Sequence, residues 1–397
     1  MKKFSIFNFQ FSIWTVGYLL SVVGLFLYSF TQIDLGLTLS RVSIWQTAEK
    51  LFKNIGYFQR PLSSILFTII ILLLFIFYLL ILNNIRKKEI SKKTIWTLII
   101  VTAVILTFSY NAFSYDLFNY MFDAKIITYY NQNPYLHKAL DFPGDPMLSF
   151  MRWTHRLYPY GPTWLGLTVP LSFLGLQFFL PTFFLFKIMI SVTFLGTAFF
   201  IGRILQKFSP RDELLGVAFF ALNPLVTMES LVSAHNDIVM MFLAMCSIYL
   251  FLNNKYVRSI IFLISSVGVK FATALLIPVF ALIYFLQKSK KSINWEKIIL
   301  FIIILMIGAV LSATLRTNFQ PWYLLYVLPF AALAPNKYYI VIPTVIISFF
   351  AAFQYLPFLY LGNWDNPVPV ISFWMMIIAI ALALCFTMAW RLKKVIR

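Results

Sequence analysis

Residues 259–286 read SIIFLISSVGVKFATALLIPVFALIYFL, and residues 163–180 read TWLGLTVPLSFLGLQFFL. The first run is long for one crossing of a hydrocarbon core about 30 Å thick and carries Lys270 near its middle. The second is broken by Pro170 and closed by Pro181. How these two runs are read decides the topology. If residues 163–180 lie in the interface and residues 259–286 make two short helices meeting near Lys270, most of the 32 Lys and Arg fall in cytoplasmic loops, Arg203, Lys207, Arg211, Lys255 and Arg258 among them. The opposite choice moves these residues outside, against the preference of basic residues for the cytoplasmic side.

The rest of the chain fits that frame. With 61% hydrophobic, 19% aromatic and 11% charged residues over 397 positions, and a mean hydropathy of +0.85, there is too little polar surface to coat a soluble globule. A net charge of +19 would point to nucleic acid in a soluble protein; here it is assigned to cytoplasmic loops, and no nucleic-acid partner is expected. The basic start MKKF leads into an apolar stretch that reaches Phe30 without a small-x-small cleavage site, so it reads as a retained first span. Further apolar runs lie at residues 62–82, 95–113, 183–205, 214–234, 238–252, 301–315, 323–333, 339–359 and 371–390. The expectation is an all-α, polytopic transmembrane helical bundle of about 12 helices. It forms one integral membrane domain over residues 1–397, with both termini cytoplasmic, in the plasma membrane. Cys246 and Cys385 stand alone in apolar runs, so no disulfide is expected.

Charged residues are sparse except in one region. SYDLFNYMFDAKIITYYNQNPY (residues 114–135) and RWTHRLYPYGPTW (residues 152–164) concentrate acidic, amide, imidazole and aromatic side chains between lipid-like stretches. Residues 114–181 are therefore expected to form an extracytoplasmic catalytic loop with short interfacial helices. The same topology puts His235-Asn236-Asp237, Lys270 and Arg316 on that face. No GxGxxG, P-loop or HExxH pattern is present, and the cytoplasmic loops are too short for a nucleotide-sugar domain, which favours a lipid-linked substrate.

Ser114-Tyr115-Asp116 running into Tyr120, Asn133-Pro134-Tyr135, Tyr158-Pro159-Tyr160-Gly161-Pro162-Thr163-Trp164, Asn223-Pro224-Leu225 before His235-Asn236-Asp237, Val269-Lys270-Phe271 and Gln320-Pro321-Trp322-Tyr323-Leu324 occur in that order. In this order they resemble polyprenol-phosphate-mannose-dependent mannosyltransferases of the GT-C superfamily, over residues 114–329. Residues 116–124 are also similar to the first mannosyltransferase of GPI-anchor synthesis, although Phe118 stands where that enzyme's second carboxylate would be. The resemblance implies an inverting transfer of a hexose, mannose above all, from a polyprenyl-phosphate donor to an extracytoplasmic glycan or glycolipid acceptor. The rival readings are a transporter or flippase of lipid-linked saccharides, and a non-catalytic partner in an envelope complex. The absence of an internal repeat disfavours the transporter.

Such a transfer needs a base for the acceptor hydroxyl, cations for the leaving phosphate and a groove for the lipid tail. Asp116, just past a helix end, is the base candidate, with a helix-capping carboxylate as its plain alternative. Asp123, seven residues on and two turns along the same helical face, either positions the acceptor, binds a metal, or pairs with Lys125 or Arg152. Tyr120, Tyr160 and His155 belong to the aromatic stretch that would stack a sugar, unless the rings form an interfacial belt. His235, Asn236 and Asp237 carry a desolvation cost that partners must offset. They bind substrate or acceptor, ligate a divalent metal with Asp116 or His155, or cap a solvated helix end, with Glu229 as a nearby partner. Lys270 and Arg316 are phosphate candidates or snorkelling cations. Gln320 and Trp322 line the donor site or anchor the interface.

Overall fold

Helices make up nearly all regular structure in the computed structural model, which describes residues 4–6 and 9–396. A short antiparallel ladder of β1 (Phe4–Ile6) and β2 (Phe9–Phe11) comes first. Ser12 then caps α1 (Ile13–Ser29), its hydroxyl accepting from the Thr15 amide. α2 (Ser43–Lys53) lies in the connection to α3 (Arg60–Arg86), which packs along α1 with the Tyr28 hydroxyl 2.9 Å from that of Ser63. α4 (Lys92–Thr107), capped by Ser91, leads to the polar stretch, where α5 (Asp116–Thr128) and α6 (Pro162–Leu174) pack on each other.

α7 (Phe179–Phe208) packs against α8 (Glu213–Ala221), and the chain then breaks at Asn223-Pro224. Asn223 caps α9 (Pro224–Thr227), which runs into a π-helical turn over Met228–Val232. Proline has no N–H to donate, and the carbonyls released at this break find partners on other helices. The Tyr18 hydroxyl donates to Leu222 O (3.0 Å) and the Tyr78 hydroxyl to Phe219 O (2.9 Å). α10 (Asp237–Phe251) and α11 (Tyr256–Val267) form the next packed pair. A 3-10 turn, Phe271–Leu276, leads into α12 (Ile277–Lys288), followed by α13 (Trp295–Thr317). After a second 3-10 stretch, Pro321–Tyr326, come α14 (Leu328–Ala331), α15 (Tyr338–Ala352), α16 (Leu356–Leu361) and α17 (Val368–Ile396).

Among the described residues, 7 helical stretches are long and apolar enough to cross a membrane, or 8 if the bent pair Pro210–Ala221 and Pro224–Val232 is one span. The all-α polytopic reading holds. Residues 163–180 do not continue as one helix: α6 has 13 residues, roughly 20 Å at 1.5 Å per residue, too short to span. The run 259–286 splits at Gly268, as two helices meeting beside Lys270. Residues 323–333 depart from the expected span, because Pro321 and Pro329 interrupt them and they form 3-10 and short α-helical pieces. The stretch is buried or half-buried along its whole length, which is how irregular backbone is tolerated at membrane depth. It runs from Trp322, stacked on His235, to Pro335, whose carbonyl accepts from Arg86 at 3.3 Å.

Those contacts define two ends of the bundle. One gathers Arg86, Lys92 with Glu213 (2.5 Å), Asn336 with Asp212, and Lys337 with Glu296. The other gathers the residues 114–164 loop, the His235 segment, Lys270 and Trp322.

Candidate active site

Asp116 opens α5, with its backbone amide on the Ser114 hydroxyl at 3.2 Å. The helix start points the carboxylate across to the segment between the π-turn and α10. There Asp116 Oδ2 lies 3.5 Å from His235 Nδ1, and His235 Nε2 lies 3.3 Å from Glu229 Oε2. Neither ring nitrogen has a well-directed hydrogen bond among the described residues, and the imidazole sits between two carboxylates at ion-pair distance. Trp322 covers it from one face, the rings stacked at 4.1 Å and 20°. Glu229 is fully buried and accepts from the Tyr355 hydroxyl at both oxygens (2.9 and 3.1 Å).

Electrostatics follow from this packing. Burial works against a charged His235, but Asp116 and Glu229 outweigh it and raise its pKa to about 9. Burial likewise opposes ionisation of Asp116, and His235, Lys270 and Arg156 together hold its carboxyl below the usual value. Asp123 sits one helical stripe further along α5, half-buried, with no salt bridge among the described residues. Burial and then the charge of Asp116 push it up to about 8. Its proposed partners are engaged elsewhere: Lys125 pairs with Asp145, and Arg152 lies over the Tyr115 ring at 5.2 Å. Two carboxyls on one helix face therefore differ in protonation near neutral pH.

A second polar group adjoins the first. Lys270 Nζ donates to both oxygens of Asp237 at 2.8 Å and sits 5.5 Å from the centre of the Tyr160 ring. Asp237 is fully buried, so the lysine offsets the cost of that carboxylate. Tyr120 donates to Asn236 Oδ1 at 3.3 Å, lies 3.5 Å from Asp116 Oδ2, and meets Tyr160 and Trp164 edge-on. Gly161 closes the loop onto the other half of the site. Its amide donates to Val269 O (3.3 Å) and that of Thr163 to Gly268 O (2.9 Å). A Cβ on Gly161 would lie 2.2 Å from Gly268 O, so only glycine permits this approach.

The structure thus brings Asp116, Tyr120, Tyr160, His235, Asn236, Asp237, Lys270 and Trp322 into one constellation. Arg316 stands exposed at the end of α13, without a salt bridge or hydrogen bond among the described residues. Its charge reaches Tyr323, as do those of Asp237 and Asp116. Gln320 is half-buried just before the Trp322 turn. His155 stays on the exposed part of the loop, its ring contact being Trp153 at 6.5 Å, and does not join His235. Among the described residues no three His, Cys, Asp or Glu side chains converge as metal ligands would. The sequence reading missed Tyr355 and Lys187. Lys187 carried the signal that singled out Lys270, a lone charge deep in an apolar run.

Residues 18–286 match the MptA_B family, described as alpha-(1->6)-mannopyranosyltransferase, N-terminal domain. The matched part holds every member of the constellation except Trp322, along with Glu229. No curated protein and no solved structure matches the chain. A multi-pass helical bundle, a clustered carboxylate and imidazole site at one end, and a family match over more than half its length together place this chain in the alpha-(1->6)-mannopyranosyltransferase family, as a membrane-embedded mannosyltransferase.

Proposed function

We propose that the protein transfers mannose from a polyprenyl-phosphate donor to a sugar hydroxyl of an extracytoplasmic glycan or glycolipid, with inversion and with Asp116 as the base. The observation that carries this reading is the Asp116–His235–Glu229 array, which keeps one carboxylate ionised at the mouth of a buried polar cluster. In the transfer the acceptor oxygen attacks C1 of the mannose while its proton passes to Asp116. The bond from C1 to the phosphate oxygen breaks, and its electron pair leaves with the polyprenyl phosphate. An α-linked product formed in one such displacement requires a β-linked donor, and the (1->6) linkage of the family's description makes the acceptor a primary hydroxyl.

Arg316 suits the leaving phosphate, since no carboxylate engages it among the described residues and its planar fork matches phosphate oxygens. Lys270, shared with Asp237, adds charge from the other side. Tyr120, Tyr160 and Trp164 offer edges and faces to a sugar, and Asn236 Nδ2 and Trp164 Nε1 are buried donors without a partner among the described residues. Arg86, Lys92 and Lys337 gather at the end opposite the site, which supports a cytoplasmic position for that end and an extracytoplasmic one for the site. A divalent metal is not needed in this scheme.

The test is transfer by membranes carrying the protein, supplied with a panel of radiolabelled polyprenyl-phosphate sugars. Mannose should be incorporated, and Arg316→Ala should raise the donor concentration for half-saturation by about 10- to 100-fold, the worth of a charged hydrogen bond, with acceptor saturation unchanged. Incorporation from a nucleotide sugar in the absence of any polyprenyl carrier would overturn the donor assignment.

A further inference from the structure

Lys187 lies inside α7 with no exposed surface and forms no salt bridge among the described residues. Its ammonium donates to the Ser109 hydroxyl (3.1 Å), to Val232 O (3.1 Å) and to Leu231 O. A buried cation without a counter-ion is costly, so its acceptors indicate what it is for. They belong to two different strips of chain. Ser109 follows α4 and begins the turn that ends at Asp116; its neighbour Tyr110 is tied back through its amide to the Ser29 hydroxyl at 3.0 Å. Leu231 and Val232 end the π-turn that begins with Glu229's neighbour Met228 and leads into His235. Between Val232 and His235 the chain passes through Ala234 at φ +55°, a left-handed conformation that a side chain disfavours. Such a conformation persists where the surroundings over-determine it. Lys187 fixes one side of it, and the bond from the His235 amide to Glu229 O (3.1 Å) fixes the other.

We propose that Lys187 is a positioning residue of the transfer reaction: its ammonium clamps the strip carrying Asp116 to the strip carrying His235 and so sets the contact between them. The inference rests on the reading of Asp116 as base. A displacement of reacting groups by about 1 Å costs on the order of 100-fold in rate.

The experiment uses the purified full-length chain and compares Lys187→Met and Lys187→Gln in the wild-type and Asp116→Asn backgrounds. Turnover is normalised to folded protein measured by thermal unfolding. Lys187→Met should lower kcat about 100-fold with donor and acceptor KM moved less than about threefold, because the sugar-binding surfaces stay in place. Lys187→Gln, whose amide still donates twice, should recover most of that loss. In the Asp116→Asn background Lys187→Met should cost less than about threefold more, since the geometry it maintains no longer matters. Equal losses in both backgrounds, a loss that tracks folded abundance alone, or wild-type turnover in the Met variant would each overturn the proposal. Should the Met variant fail to fold, Lys187→Leu carries the same comparison, with a fall in kcat at constant KM that vanishes beside Asp116→Asn as the supporting result and equal losses in both backgrounds as the overturning one. If Asp116→Asn itself keeps wild-type turnover, the base assignment fails separately. The Lys187 variants are then cycled against His235→Gln, and additive effects there reject the clamp.

Discussion

Asn in place of Asp116 keeps the side chain's shape and its contact with His235 but cannot take a proton. Asp116→Asn should lower turnover by about two to four orders of magnitude, the usual worth of a positioned base, while donor binding persists; near-normal transfer at matched abundance would remove Asp116 from the chemistry. His235 gives this site a pH signature. Its pKa is raised above the ordinary 6.5, so the stabilisation from its two carboxylates is fully present below about pH 6.5 and is lost as pH rises through about 9. Glu229→Gln leaves only Asp116 beside the imidazole, and the alkaline limb of the rate profile should move to lower pH; an unmoved limb would mean that Glu229 does not hold the charge. Asp123 behaves in the opposite chemical sense. Its raised pKa means that the folded chain keeps a proton the unfolded chain loses, so stability falls as pH rises from about 4 to about 8. In Asp123→Asn that decline should flatten, as followed by thermal unfolding at pH 5 and pH 9.

At the level of elements, the site depends on where helices stop. Asn223-Pro224 ends α8 and lets the π-turn bring Glu229 under His235, while Tyr18 and Tyr78 satisfy the carbonyls released by the break. The 114–164 loop is brought to Lys270 by the approach of Gly161 to Gly268. Gly161→Ala puts a methyl group against a backbone carbonyl that cannot rotate away, so the loop must lift and carry Tyr160 off Lys270. Turnover should fall by about 10- to 100-fold, the scale of a small misplacement of reacting groups, and wild-type kinetics in this variant would show that the loop closure is dispensable. α6 packs against α5 and α7 as a short helix because Pro162 starts it and Gly175 ends it, leaving too little length to cross.

The whole molecule is polar at one end and basic at the other, and its sidedness can be read with thiols. In a chain with the exposed Cys385 replaced by Ser, a cysteine at Leu136, which is 71% exposed at the site end, should react with a membrane-impermeant reagent added to intact cells. One at the exposed Lys290, at the opposite end, should react only after permeabilisation. The reverse pattern would place the site in the cytoplasm and exclude an extracytoplasmic acceptor.

Composition and apolar runs alone determined that this chain is a helical bundle in a bilayer, since hydrophobicity is a property of each segment by itself. The break beside Lys270, the shortness of α6 and the polar loop around Asp116 are legible for the same reason: proline, glycine and lone charges act locally. The partners are not. Lys270 reads from sequence as a phosphate candidate or a snorkelling cation, and only the fold shows that its ammonium is shared with Asp237, 33 positions away. Trp322 reads from sequence as lining the donor site or anchoring the interface, and in the fold it stacks on His235. Glu229, Tyr355 and Lys187 acquire their roles only where α4, α7, the π-turn and the stretch after α15 meet. In lipid an apolar helix surface packs against many others about equally well, so the contacts that choose one arrangement are the few buried polar ones between distant segments. Only the tertiary structure decides which of these form.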